Sequence, residues 1–284
     1  MRYGVTMFVT DISMGIVELA TAVDERGLDS VWLPEHTHIP TSRRTPYPGD
    51  PATGILPDEY RRCVDPFVAL TAAALAAPRL RVGTGIMLVA QHDPIVAAKA
   101  AATLDLVTGG RFTMGVGFGW NEDEMNDHGV EYRTRRAKAR EHVLAMRALW
   151  NDEVASFDGD HVHLPPSWSW PKPVQPNGPK VLLGGAAGPK LFDHIADYGD
   201  GWIPIGGKGI TAALPQLRDA VASRGRNPDE LEIIPFGSIP DHGKLDHFES
   251  IGVTECVFAL PSAPADQILP LLDKQAAIVA ERRA

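Results

Sequence analysis

The densest chemistry in the 284 residues lies in the run Pro34-Glu35-His36-Thr37-His38. An imidazole titrates near neutral pH and can take up or release a proton during turnover, so His36 is the candidate catalytic acid or base. Glu35 is the candidate to orient it. Two structural alternatives stand beside this: a histidine at a strand end can simply hydrogen-bond a loop carbonyl, and Glu35 can pair with an arginine of a neighbouring strand. His36 and His38 also spell H-x-H, the start of a metal site, but such sites need further ligands at later strand ends. The fifth and sixth candidate strands end without histidine, and His194, His242 and His247 fall on helices or helix starts. No metal site is therefore expected, and a metal-dependent barrel hydrolase is the alternative of another class.

A second kind of chemistry comes from small residues. In Gly184-Gly185-Ala186-Ala187-Gly188-Pro189 the backbone N–H groups are uncovered, and the helix that follows presents its positive end. That combination is a phosphate cradle. Gly117 and Gly119 would let a second backbone segment approach the same ligand, although either turn alone needs glycine only to be tight. Two such turns point together to a phosphorylated cofactor. A dinucleotide G-x-G-x-x-G does not account for them, because after Gly115 and Gly117 the third position is Trp120.

The elements that must position these groups alternate along the whole chain. β-rich runs at 3–9, 30–33, 80–88, 111–116, 180–183, 201–205, 231–236 and 255–259 are separated by helical patterns, the signature of parallel βα units. Eight units favour a (β/α)8 TIM barrel over a doubly wound sheet, and a barrel carries its chemistry at the C-terminal strand ends, where all the candidates lie. Asp65-Pro66 and Asp93-Pro94 read as capped helix starts; Gly27, Gly109 and Gly225 read as helix stops. Pro270, inside the last helical pattern, implies a kink or a later start. Two connections are too long for plain turns: 37–64 after the second strand, and 151–179, between the fourth and fifth. Both are expected to be lids or walls of the site, with a small hairpin over 157–164. Residues 1–284 are read as one barrel domain with these two insertions.

Composition excludes several classes. A formal charge of -9 argues against a general nucleic-acid binder. The basic run Arg133, Arg135, Arg136, Lys138, Arg140 is read as a solvated helix face. No stretch is apolar over the ~20 residues of a membrane span. The first residues read as a strand rather than a signal peptide, so the expected location is cytoplasmic. Cys63 and Cys256 imply no disulfide framework, and Cys256 is placed in the core.

Taken together, YGVTMF near the start, VWLPEH at 31–36, RVGTGIMLV at 81–89, GGRFTMGVGFGWNEDE at 109–124, LLGG at 182–185 and DGW at 200–202 resemble the luciferase-like monooxygenase family. The resemblance covers nearly the whole chain and is nearest to the branch that uses the deazaflavin coenzyme F420. It implies a TIM-barrel oxidoreductase, a homodimer by family habit, that transfers hydride between reduced deazaflavin and a small organic substrate; an FMN-dependent monooxygenase on the same fold is the alternative. It assigns Gly85 and Ile86 to a bulge in the third strand that carries a cis non-prolyl peptide in relatives. It further assigns Gly117, Gly119 and Asn121 to cofactor contacts, with Trp120 at the pocket, and Gly184, Gly185 and Ala186 to the phosphate loop. In the sugar-phosphate dehydrogenase branch a catalytic carboxylate follows the glycines of the fourth turn. Here Trp120 takes that place, and Glu122 and Glu124 are read as first-turn helix residues that favour the dipole.

Overall fold

The computed structural model describes residues 1–50, 52–207 and 209–284. Its strands are β1 (Arg2–Thr6), β2 (Ser30–Leu33), β3 (Arg81–Met87), β4 (Phe112–Val116), β5 (Ala155–Asp158), β6 (His163–Ser167), β7 (Lys180–Gly184), β8 (Gly201–Ile203), β9 (Glu232–Ile233), β10 (Phe236–Ser238) and β11 (Glu255–Ala259). Apart from the antiparallel hairpin β5–β6, they form one sheet in the order β10-β11-β1-β2-β3-β4-β7-β8-β9. β9 and β10 are two halves of a single stave, broken where Pro235 supplies no N–H. Ile234 N still donates to Trp202 O, Val257 N donates to Pro235 O, and a parallel bridge joins Ile205 to Phe236. The sheet thus closes on itself as the eight-stave TIM barrel that the sequence predicts.

Alternation along the strands separates two packing layers. In β2, Ser30 and Trp32 turn into the barrel while Val31 and Leu33 face the helices. The interior cluster is small: Trp32, Leu182, Ile203, Ile234, Phe236 and Val257, with Ile86 against it. Glycines on β3 make room for its two large rings. A Cβ on Gly83 would lie 2.3 Å from Trp32 Cε3, and one on Gly85 would lie 2.5 Å from Phe236 Cε2. Buried Glu255 closes the lower end, accepting from Ser30 Oγ, from Trp32 Nε1 at 2.9 Å and from Arg2 Nε at 2.9 Å.

Helices α1 (Ile16–Glu25), α2 (Pro66–Ala76), α3 (Pro94–Thr108), α4 (Glu122–Asp127), α5 (Arg135–Asn151), α6 (Pro189–Tyr198), α7 (Ile210–Ala222), α8 (His242–Ser250) and α9 (Ala265–Arg283) cover the outside. Asp65 and Asp93 cap α2 and α3 through their carboxylates, and Gly109 ends α3 in the left-handed conformation. α9 starts where the pattern places it and carries Pro270 within it.

The two insertions have different fates. Segment 37–64, of which residue 51 lies outside the described residues, brings Tyr47 and Tyr60 to the upper rim. Segment 151–179 is not a lid. Its hairpin tip is clamped by Glu141 of α5, which accepts the backbone N–H groups of Asp160, His161 and Val162, and Asp105 of α3 holds Val174 N and Gln175 N. Its backbone polar groups find buried partners on the barrel flank, so the segment packs there instead of over the mouth.

Candidate active site

β2 delivers Glu35 and His36 to the upper rim, and the two side chains part. His36 Nδ1 lies 2.8 Å from Glu124 Oε2, and both side chains are nearly inaccessible to solvent. Glu35 instead accepts Leu88 N at 2.7 Å and pairs with His92 Nε2 at 2.9 Å. The expectation that Glu35 orients His36 is therefore corrected: successive residues leaving a strand point to opposite sides, and the carboxylate that reaches the imidazole comes from α4. Glu124 sits in the first turn of α4, as the sequence suggests, but it is fully buried instead of being a surface dipole partner.

An ionised Glu124 accepts from His36 Nδ1, which leaves Nε2 as the nitrogen able to exchange a proton. Asn121 approaches the same carboxylate, with its Nδ2 3.5 Å from Glu124 Oε2. Two buried acceptors here, Asn121 Oδ1 and Glu124 Oε1, have no partner among the described residues. Buried polar atoms rarely stay unpaired, so the pair marks a place for a donor from a bound molecule.

Aromatic rings surround the imidazole. Tyr60 stands 5.2 Å and Trp120 6.0 Å from His36 between ring centroids, and Tyr47 closes the group with its hydroxyl 3.0 Å from that of Tyr60. Burial, with help from the Tyr47 hydroxyl, raises the Tyr60 phenol, which stays protonated. Cys63 donates its thiol to the His36 carbonyl at 3.2 Å, and burial pushes that thiol up. Trp32 and Trp202 are buried in the barrel wall; Trp202 Nε1 anchors the turn after β7 by donating to Gly185 O at 2.9 Å.

The two glycine-lined turns are neighbours, because β4 pairs directly with β7, Val116 opposite Leu183. Ile86 lies between them. A Cβ on Gly117 would meet Ile86 Cγ2 at 3.0 Å, and one on Gly184 would meet Ile86 Cδ1 at 2.0 Å. Gly119 adopts a left-handed φ of 74° against Met125. Beyond Gly185, Ala186 and Ala187 are exposed ahead of α6. The glycines bring both turns into contact with Ile86, and with the orphaned acceptors beside them this arrangement fits a flat ring seated on Ile86 with an anionic tail toward α6. Ile86 sits in the expected bulge, where the β3–β4 register shifts between Thr84 and Met87. The cis bond expected at Gly85–Ile86 is not found: among the described residues only Trp170–Pro171 is cis. The bulge is accommodated by glycine in the trans form, which avoids a cost of ~3–4 kcal/mol.

The H-x-H pair is divided as well. His38 Nε2 lies 3.0 Å from Asp127 Oδ2 at the surface, away from the buried His36–Glu124 contact. No group of three or more metal-ligating side chains occurs among the described residues.

A model of the luciferase-like monooxygenase family matches residues 13–239. An uncharacterized protein of Mycobacterium tuberculosis is 40% identical over 282 residues, 99% of each chain. An F420-dependent glucose-6-phosphate dehydrogenase of Kineococcus radiotolerans is 29% identical over 76% of this chain and 61% of its own length. A phthiodiolone/phenolphthiodiolone dimycocerosates ketoreductase of Mycobacterium kansasii is 32% identical over 74% of this chain and 58% of its own length. Among solved structures, monooxygenase RslO1 of Streptomyces bottropensis superposes with a TM-score of 0.81 at 20% identity over 100% of both chains. An F420-dependent secondary alcohol dehydrogenase in complex with an F420-acetone adduct gives 0.76 at 18% identity over 99% of both.

Proposed function

We propose, from the premise that this chain belongs to the luciferase-like monooxygenase family, that it is a coenzyme F420-dependent oxidoreductase acting on a small carbonyl-bearing or unsaturated substrate. Membership makes it an oxidoreductase of flavin or deazaflavin type. The choice of F420 rests on the F420-dependent dehydrogenase among its sequence relatives and on the nearest branch of the resemblance. FMN is the second reading, because a type II Baeyer-Villiger monooxygenase in complex with FMN shares the fold, with a TM-score of 0.64.

The observation that carries the reading is the His36–Glu124 pair placed beside two adjoining glycine turns. Gly119 and Ala186 would offer backbone N–H groups to the phosphate, Gly117, Gly184 and Gly185 would let it approach closely, the N–H groups of Gly117 and Gly185 being bonded to Met87 O and Ile203 O, and Ile86 on the β3 bulge, over Gly85, would support the ring. Bound there, the deazaflavin supplies or accepts the hydride. His36, oriented by Glu124, exchanges the accompanying proton with the substrate oxygen or carbon. Asn121 and Glu124 offer their free acceptors to a bound donor, and Trp120, Tyr47 and Tyr60 exclude water. Glu35 acts behind this group, fixing the backbone that follows the bulge.

The whole chain is read as one working unit, with segment 37–64 as a wall of the mouth. A homodimer is proposed through the outer faces of α2 and α3, where Val68, Leu75, Val96 and Leu106 are exposed with no charged neighbour between them in sequence on α2. No helix among the described residues is long and apolar enough to cross a membrane. A cytoplasmic location is proposed, in keeping with two free cysteines.

The test is anaerobic incubation with reduced F420 and a panel of ketones and enones, following cofactor oxidation. Substrate-dependent oxidation that disappears in His36→Ala is expected. Turnover seen only with reduced FMN and oxygen would overturn the assignment.

A further inference from the structure

A cavity of about 410 Å³ lies on the barrel flank between the start of α3, one face of α5 and the β5–β6 hairpin. Its size is within the range of small-molecule sites, ~300–1,000 Å³. The α5 wall consists of Lys138, His142, Ala145 and Leu149, spaced so that all four fall on one helix face. That stripe is graded, cationic toward the upper rim and apolar below. Val162 and Leu164 of the hairpin continue the apolar part; His92 and His128 stand at the polar end.

At the polar end no carboxylate among the described residues forms an ion pair with Lys138. Lys138 reaches only the Gly129 carbonyl, at 3.4 Å, and burial lowers its ammonium. His142 is buried, with Nδ1 bonded to Val89 O at 3.0 Å. Asp93, which also lines the cavity, is occupied in capping α3. His163 is matched by Asp158, and His92 by Glu35. Lys138 is thus an uncompensated cation at the mouth of a cavity with an apolar floor, inside the basic run that reads from sequence as a solvated face.

We propose that this cavity is an accessory binding site for a small organic carboxylate, with its head on Lys138, close to His142, and its hydrocarbon body along Ala145, Leu149, Val162 and Leu164. The site is separate from the cofactor mouth. It communicates with it through His92, the partner of Glu35, and through His128, whose Nε2 lies 2.7 Å from Thr37 Oγ1.

Hexanoate titrated into the full-length protein without cofactor, followed by calorimetry and by histidine ring NMR signals, tests this. One-to-one binding with shifts at His142 and His128 is expected, together with weakening of about tenfold or more in Lys138→Ala, retention in Lys138→Arg, and no comparable binding of hexan-1-ol. Absence of hexanoate binding, equal binding by Lys138→Ala, unmoved His142 signals or equal affinity for hexan-1-ol would each overturn it. None of these outcomes depends on which cofactor the barrel uses.

Discussion

His36 Nδ1 lies 2.8 Å from Glu124 Oε2, joining the end of β2 to the first turn of α4 across a buried contact. A carboxylate so placed fixes which imidazole nitrogen is free for proton exchange.

Replacing His36 by Ala should lower kcat by about 10²–10⁴-fold, the usual contribution of a positioned acid or base. Glu124→Gln keeps the shape but removes the charge, and should lower kcat as well. Cofactor affinity in His36→Ala, measured by equilibrium titration, should change little. An unchanged kcat in Glu124→Gln would mean that the carboxylate does not orient the imidazole.

Glu35→Gln should behave differently. Burial disfavours charge on His92, but the hydrogen bond and charge of Glu35 prevail and raise its pKa. A raised folded value contributes stability below the ordinary histidine value that is lost as pH rises through the raised one. The variant should therefore lose stability in urea near pH 6, by about 1–3 kcal/mol, with the difference shrinking at higher pH. A constant difference across that range would contradict the pairing.

His142 gives the opposite sign. Burial pushes its pKa down to about 4 against the help of the Val89 carbonyl. A depressed histidine is neutral in the fold, so its stabilising effect is complete above the unfolded value of ~6.5 and is lost as pH falls toward 4. His142→Gln should flatten the acid side of the stability curve between those values, read from thermal unfolding.

Two glycines separate stability from binding. A Cβ on Gly115 would meet the Thr84 carbonyl oxygen at 2.2 Å, a backbone atom that cannot move aside. Gly115→Ala should destabilise by about 1–3 kcal/mol or more. On Gly184 the obstacle is the far end of Ile86, which can rotate, so Gly184→Ala should fold well yet bind cofactor more weakly. Unfolding curves and cofactor titrations on both variants distinguish these outcomes.

Much of the fold was legible because it rests on local rules. The eight staves follow from alternating β-rich and helical segments, and the caps Asp65 and Asp93 from a carboxylate ahead of proline. The glycine turns were legible as a pair, since small residues after two strands have few other uses, and the barrel puts those strands side by side. The partner of His36 was not. Glu124 in a first turn fits the dipole rule, and only tertiary packing decides whether it faces water or an imidazole 88 residues away. The fate of segment 151–179 was hidden for the same reason: its prolines and tryptophans suggest a lid, whereas its anchors, Asp105 and Glu141, lie in helices that sequence treats as ordinary. Lys138 was hidden inside a charge run in which, among the described residues, Arg140 alone meets a carboxylate, that of Asp197.

Binding of the cofactor itself is the most direct test of the central claim. Purified protein titrated in parallel with coenzyme F420 and with FMN, each followed by its own fluorescence, should show saturable one-to-one binding of F420 that is weakened in Gly184→Ala and markedly weaker binding of FMN. Tighter binding of FMN, or F420 binding indifferent to Gly184, would contradict the account.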